Sequence, residues 1–565
     1  MADTERLQVV LAWHMHQPQY RDLVSGAYSQ PWTYLHAIKD YVDMAAHLEA
    51  VPAARAVVNF APILIEQIED YARQVDGFLT NSLAIRDPVL AALASPALPV
   101  GREERLILIK ACLRANESRL IHRFPAYRRL AEMAGWITRH PEALAYLGDS
   151  FLADLLVWYH LAWLGETVRR TDARVKHLLE KGAQYTLHDR RTLLGVIGEL
   201  LSRVIARYAR LAERGQVELS VTPYAHPILP LLLDFTAAHE AAPEAPLPLT
   251  PRYPGGIERA RWHIREGIHA FERHFGRRPS GCWPSEGSVS AAAAALLAEE
   301  GFSWAASGES VLRHSLSKLG HAPHAKAAWL YTPYALDGGP RLFFRDDGLS
   351  DLIGFTYATW HADDAVADFI RHLENIADSC HGHPDHVVSI ILDGENAWEH
   401  YPENAYYFLN ALYRRLSEHP RLQLTTFSDY LKDHPAKLLP ALVAGSWVYG
   451  TFSTWIGDPE KNRGWDMLAD AKRAFDAAAP NLPPPRREAA EGQLGVCEGS
   501  DWFWWFGDYN PQATVSDFER LYRQHLTNLY QLLNLEPPEY LSHAFTHGRG
   551  APLHGGAMRP GQPTT

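Results

Sequence analysis

L-Q-V-V-L-A-W-H-M-H-Q-P-Q-Y, residues 7–20, is a short β-branched apolar run that breaks off in two histidines and a proline. A run of this length without polar alternation suits a strand covered on both faces, the setting of a parallel sheet. His14 and His16 then stand at its C-terminal end, two residues apart in extended chain and so on one face. Two imidazoles placed there can be metal ligands, hydrogen-bonding groups for a substrate, or packing. The rest of the chain has to decide among them.

Further strand-like runs lie at 56–60 (A-V-V-N-F), 217–224 (V-E-L-S-V-T-P-Y), 302–307 (F-S-W-A-A-S), 386–396 (H-V-V-S-I-I-L-D-G-E-N) and 422–427 (L-Q-L-T-T-F). Between about 85 and 215 the apolar period is helical, which reads as an insertion. A Pro/Ala-rich loop around 241–256 precedes a helix, and an Ala-rich helix at about 288–299 closes on Gly301. Strands alternating with helices predict βα units and a parallel sheet closed, or nearly closed, into a barrel. From about 440 onward helices dominate, with a P-P-P break at 483–485.

Composition narrows the partners. The 565 residues carry 54 Lys+Arg against 66 Asp+Glu, a formal charge of −12 that argues against nucleic acid. Cys112, Cys282, Cys380 and Cys497 are scattered, without the spacing of a disulfide framework or a structural zinc site. No secretory leader is visible, and no apolar run has the length of a membrane span, so a cytoplasmic protein with no membrane partner is expected. Oligomeric state is not legible. The 17 Trp gather beside acids in turn-rich segments, where they serve either as core filler or as platforms on which a pyranose ring stacks.

In a parallel barrel, polar residues at strand C-termini share one mouth. Four predicted ends carry chemistry: His14 and His16, Tyr224 and His226, Glu286 after G-C-W-P, and Asp393 with Glu395 after V-V-S-I-I-L. A carboxylate ending an apolar strand is costly unless it is paired or working, although Asp393 could simply cap the turn that D-G begins. Glu286 could equally be an acid favoured at a helix N-terminus. Two carboxylates facing each other across a mouth are the minimal equipment for glycoside cleavage. Two aromatic-acidic segments, 497–509 and 445–465, are candidate sugar-facing walls.

The set H-Q-P (16–18), G-Q-V-E-L with H-P-I-L-P-L (215–231), W-P-S-E-G-S-V (283–289), L-D-G-E-N-A-W-E-H-Y (392–401) and E-G-S-D-W-F-W-W (498–505) resembles glycoside hydrolase family 57, in the family's order and over nearly the whole chain. The resemblance implies an α/β fold, an incomplete (β/α)7 barrel with a helical insertion and a C-terminal helical domain. Residues 1–435 would form the barrel with its insertion at about 85–215, and 436–545 the helical domain contributing to the cleft. Residues 546–565 would be a disordered tail. It implies a retaining enzyme on α-glucans, with Glu286 as nucleophile and Asp393 as acid/base. The resemblance carries His16, His226, Glu498, Asp501 and Trp502 over as substrate-binding residues; His14, Trp283, Trp398 and Trp455 are further candidates for substrate binding, and no metal and no cofactor are expected.

The motifs look most like the amylase and amylopullulanase branch, with 4-α-glucanotransferase or branching-type transfer as the alternative on the same scaffold. Because Asp393 must hold a proton near neutral pH, its pKa is expected to be raised by its apolar strand and by Glu286. Two rivals of other classes remain: a metal-dependent hydrolase built on H-x-H, and a non-catalytic glucan-binding protein.

Overall fold

The computed structural model describes residues 6–320, 325–380 and 385–550. Seven parallel strands form a ring: β1 (Leu7–Met15), β2 (Ala56–Phe60), β3 (Val217–Val221), β4 (Gly281–Cys282), β5 (Trp304–Gly308), β6 (Arg341–Arg345) and β7 (Val387–Asp393). Each pairs with its sequence neighbour, and β7 returns to pair with β1 from Gln8↔Val387 to His14↔Asp393. The ring closes at the β6–β7 seam through one register pair, Arg345↔Ser389. The expected (β/α)7 barrel is therefore present as a closed ring of seven strands, joined by single register pairs at β3–β4 and β6–β7.

The period of two along each strand sorts the side chains. On β1, Leu7, Val9, Leu11, Trp13 and Met15 pack with the large core shared with the surrounding helices. Val10 and Ala12 turn the other way, into a second cluster with Val57, Trp283, Trp304, Phe343, Val387 and Ile391 that fills the barrel. Phe427 and Tyr430, from the helix Phe427–Asp433, join that filling. Trp304 is 1% exposed, so Trp304→Ala would open a cavity costing about 3–5 kcal/mol.

Residues 85–215 are helical throughout their regular elements, ending in the long helix Leu187–Glu213. R-L-F-F-R, the sixth strand, escaped the sequence reading because arginines bracket only three apolar residues. Leu422–Leu424 pairs with the outer edge of β1's start rather than joining the ring. The P-P-P break does not end a helix; it opens Pro484–Cys497, where proline's missing N–H costs nothing in the first turn. The first residues of the expected tail make contacts. Arg549 and Gly550 donate backbone N–H bonds to Asp508 and Asn510, and the Thr546 hydroxyl accepts from Gly507, so 546–550 are held against the cleft's helical wall. The remainder of that tail, 551–565, lies outside the described residues. The four cysteines are free and buried, and no helix among the described residues is long and apolar enough to cross a membrane.

Candidate active site

The inward face of β1 continues from Val10 and Ala12 to His14, which is 4% exposed at the mouth. Register places His14 beside Asn59 on β2 and Asp393 on β7, and Asn59 beside Ser220 on β3. One polar layer thus caps the apolar filling. Its hydrogen bonds fix protons as well as positions. Asn59 Nδ2 donates to Ser220 Oγ at 3.0 Å, which leaves Asn59 Oδ1 as an acceptor, so His14 donates to it from Nδ1 at 2.7 Å. His14 Nε2 must then accept, and its partner at 3.1 Å is His226 Nε2. His226 Nδ1 in turn accepts from the Ser500 hydroxyl at 2.8 Å. Both rings are neutral, in accord with burial pushing His14 down to about 3 and His226 well below the usual imidazole range. His16 stacks on His226 with centroids 3.8 Å apart, and its Nε2 meets Asp501 Oδ1 at 2.9 Å. Ser500 and Asp501 open the helix Ser500–Trp505, so the C-terminal region completes the mouth. Among the described residues, His14, His16 and His226 are a group able to hold a metal ion, with one ring nitrogen from each within 4.8 Å of the others.

Glu286 follows β4 on the turn Ser285–Gly287, with φ +57°, in the left-handed region that non-glycine residues rarely adopt. Strain of this kind persists where its surroundings over-determine it. Here the clamp is the segment after residue 444: Gly445 and Val289 exchange backbone bonds, and Trp447 N–H donates to the Glu286 carbonyl at 3.1 Å. The Trp447 indole also donates to Glu286 Oε2 at 2.9 Å. The carboxyl of Glu286, itself 3% exposed, is pushed well above the usual range by burial, with the Asp393 charge adding and the Trp447 N–H opposing.

Asp393 ends β7 on its inward face. Gly394 follows because the Met15 thioether occupies the space a Cβ would need, and its N–H bonds to the His14 carbonyl at 2.7 Å. Burial raises the Asp393 carboxyl, while the Asn396 amide at 2.8 Å, His16 and Arg345 pull it down. The raised value agrees with the expectation in direction; its cause is burial. Glu286 is opposed by the Trp447 N–H alone, whereas Asp393 is opposed by Asn396, His16 and Arg345. A third buried acid, Glu395, accepts from Gln17 at 3.2 Å and is also pushed well up, first by burial and then by Asp393.

Two adjoining cavities meet at Asp393 and Asn396. The inner one is small and lined by His14, His16, Tyr20, Glu286, Asp501 and Trp505 among others. The outer one, of about 230 Å³, carries the exposed Phe355 and Tyr449 with Trp447 and Trp504. The structure therefore brings together Glu286, Asp393, His14, His16 and Asp501, with His226 directly beneath.

Other expected substrate contacts lie behind the cleft. Glu498 is fully buried, locked by Tyr253, Arg259 and His263 at 2.6–3.0 Å. Trp502 donates to the Val496 carbonyl, Trp398 to that of Gly394, and both are 1% exposed. Trp455 is fully buried against Trp504, and Trp283 packs edge-on to Trp447. Trp447 itself went unnoticed within the flagged 445–465 segment; only the fold brings it to Glu286.

A family model described as glycosyl hydrolase family 57 matches residues 10–443. Among solved structures, the chain is similar to a branching enzyme of that family from the archaeon Thermococcus kodakaraensis, at 14% identity and a TM-score of 0.58, covering 94% of this chain and 90% of that one. It is also similar to an α-amylase from Thermotoga maritima, at 15% identity and a TM-score of 0.53, covering 94% and 93%. A 4-α-glucanotransferase from Thermococcus litoralis matches at 14% identity and a TM-score of 0.52, covering 93% of this chain and 60% of that one. At these identities the likeness is one of fold.

Proposed function

Because this chain belongs to glycosyl hydrolase family 57, we propose that it is a retaining enzyme that cleaves α-glucan linkages of starch, glycogen or maltooligosaccharides. The observation that carries this reading is the pair of buried carboxyls, Glu286 and Asp393, lining one small cavity, each raised by burial, with the Asp393 charge adding to the rise at Glu286. A sugar ring in that cavity places its anomeric carbon against Glu286. Positive charge developing at that carbon stabilises the Glu286 carboxylate, and the Trp447 N–H holds the attacking group in place. Asp393, whose carboxyl burial raises, delivers its proton to the glycosidic oxygen as the bond to the leaving sugar breaks. A covalent glycosyl-enzyme results. Asp393 next takes a proton from water, or from a second sugar's hydroxyl, which attacks the anomeric carbon and releases Glu286.

His16, steadied by Asp501, is placed to hydrogen-bond the ring being cleaved, and His14 sets the floor beneath it. The outer cavity suits the leaving-group side, since it adjoins Asp393 and offers Phe355 and Tyr449 as stacking faces. Hydrolysis of α-1,4 bonds, with α-1,6 bonds as a further substrate, is the activity proposed. Incubation with maltooligosaccharides and with pullulan, followed by separation of products by length, tests it. Shorter products support hydrolysis, maltotriose from pullulan adds α-1,6 cleavage, and products longer than the donor assign transfer instead. Unchanged substrates would sink the glucan reading.

A further inference from the structure

We propose that His14, His16 and His226 form a binding site for a divalent transition ion of the zinc class, and that such an ion competes with the sugar for the mouth of the barrel. The three rings share more than proximity. Each has one nitrogen already engaged by a different neighbour: His14 Nδ1 by Asn59 Oδ1, His16 Nε2 by Asp501 Oδ1, and His226 Nδ1 by Ser500 Oγ. Outer partners of this kind orient the rings of metal-binding histidines. The remaining nitrogens are His14 Nε2 and His226 Nε2, 3.1 Å apart, and His16 Nδ1, which is buried with no hydrogen-bond partner.

Zinc-to-imidazole bonds of about 2.0–2.1 Å around a tetrahedron set neighbouring nitrogens ~3.4 Å apart, close to the first pair's spacing. One nitrogen from each ring lies within 4.8 Å of the others, and His16, stacked on His226 with centroids 3.8 Å apart, turns out of that stack to aim its nitrogen at the ion. His226 must move its proton from Nε2 to Nδ1, and the Ser500 hydroxyl turns from donor to acceptor, which it does without losing the bond. The inner cavity beside the histidines is lined by the carboxyl groups of Asp501, Glu286 and Asp393. Imidazole nitrogens select Zn²⁺, Cu²⁺ or Ni²⁺ over Mg²⁺ and Ca²⁺. Competition with sugar rests on the reading of His16 as a substrate contact; ion binding does not.

The full chain, stripped with a chelator, is titrated with Zn²⁺ against a chromophoric chelator and separately with Co²⁺. One equivalent of Zn²⁺ should bind tighter than all others, with Co²⁺ giving the intense visible bands of tetrahedral nitrogen coordination. His14→Gln and His226→Gln should each weaken that equivalent at least about tenfold, with circular dichroism verifying the fold. No distinguishable tight equivalent, or undiminished affinity in either folded variant, overturns the site. Should both variants fail to fold, the Co²⁺ spectrum of the unaltered chain decides: pale octahedral bands overturn it. Zn²⁺ should also raise KM for maltooligosaccharides with kcat unchanged, and an unaffected KM overturns the competition. A chain inactive on glucans would fail the functional reading, while the spectra still decide the site.

Discussion

Glu286 and Glu498 are both buried glutamates near the same helical wall, yet their surroundings are opposite. Glu498 meets a bidentate arginine, a histidine and a tyrosine, which together hold its carboxyl down at about 2 against the cost of burial. Glu286 meets one indole N–H and the Asp393 charge, and burial, with Asp393 adding, pushes it up. Burial therefore says little about an acid's task; the positive groups around it say more. A carboxyl whose charge is fully matched is a structural joint, and one left under-matched keeps its proton and its nucleophilicity available.

Breaking this contrast begins with Glu286→Gln, which should lower turnover on maltooligosaccharides by on the order of 10³-fold or more while leaving the melting temperature equal or higher. Full activity in the purified variant would remove Glu286 as nucleophile. Asp393→Asn should cost roughly 10²–10⁴-fold on the same substrates, and far less on a glycoside with a strongly acidic leaving group that needs no protonation. Equal losses on both substrates would contradict the acid role.

At Glu498 the loss should move from rate to stability. Glu498→Gln leaves Arg259 facing no charge at that position, and about 3–5 kcal/mol of stability should disappear in denaturant unfolding. A variant as stable as the parent would mean the arginine finds another partner, Glu491 at 3.3 Å being the nearest.

The two acids also predict opposite pH slopes. Glu498 binds its proton less readily folded than unfolded, so its stabilisation is complete above the ordinary carboxylate range and fades as pH falls toward about 2. Glu286 binds its proton more readily when folded, so its burial costs stability as pH rises above the ordinary value through the raised one. Glu286→Gln should flatten the neutral-side decline of stability and leave the acid side alone; the same decline in both proteins would break the contrast. The smallest effect belongs to Trp447→Phe. Losing the N–H that opposes the rise should move the acid-side inflection of kcat/KM upward by roughly one pH unit or less, and an unmoved inflection would show that the indole only packs.

Much of this was legible in advance where local pattern and long-range structure agree. The runs ending at His14 and Asp393 are apolar because both faces are covered, and their inward period of two carries a polar residue to the mouth. Glu498 was misplaced because its partners, Arg259 and His263, sit one helical turn apart on Gly256–Phe275, far upstream in the chain. Nothing in E-G-S-D-W announces them. Trp447 was passed over for Trp455 for the same reason: both stand in aromatic loops, and only the bridge from Val289 to Gly445 brings one of them to the nucleophile. The aromatic-acidic segment 497–509 gave the mouth Asp501, Trp504 and Trp505, while its Trp502 went to the core.

The left-handed backbone at Glu286 sets stability against activity at a single position. Glycine reaches φ +57° freely, whereas any other residue stores roughly 1–2 kcal/mol there. Exchanging Glu286 for glycine would thus abolish turnover and relieve strain in the same step. A lineage released from selection for catalysis would drift toward that exchange, and the scaffold would survive it better folded than before.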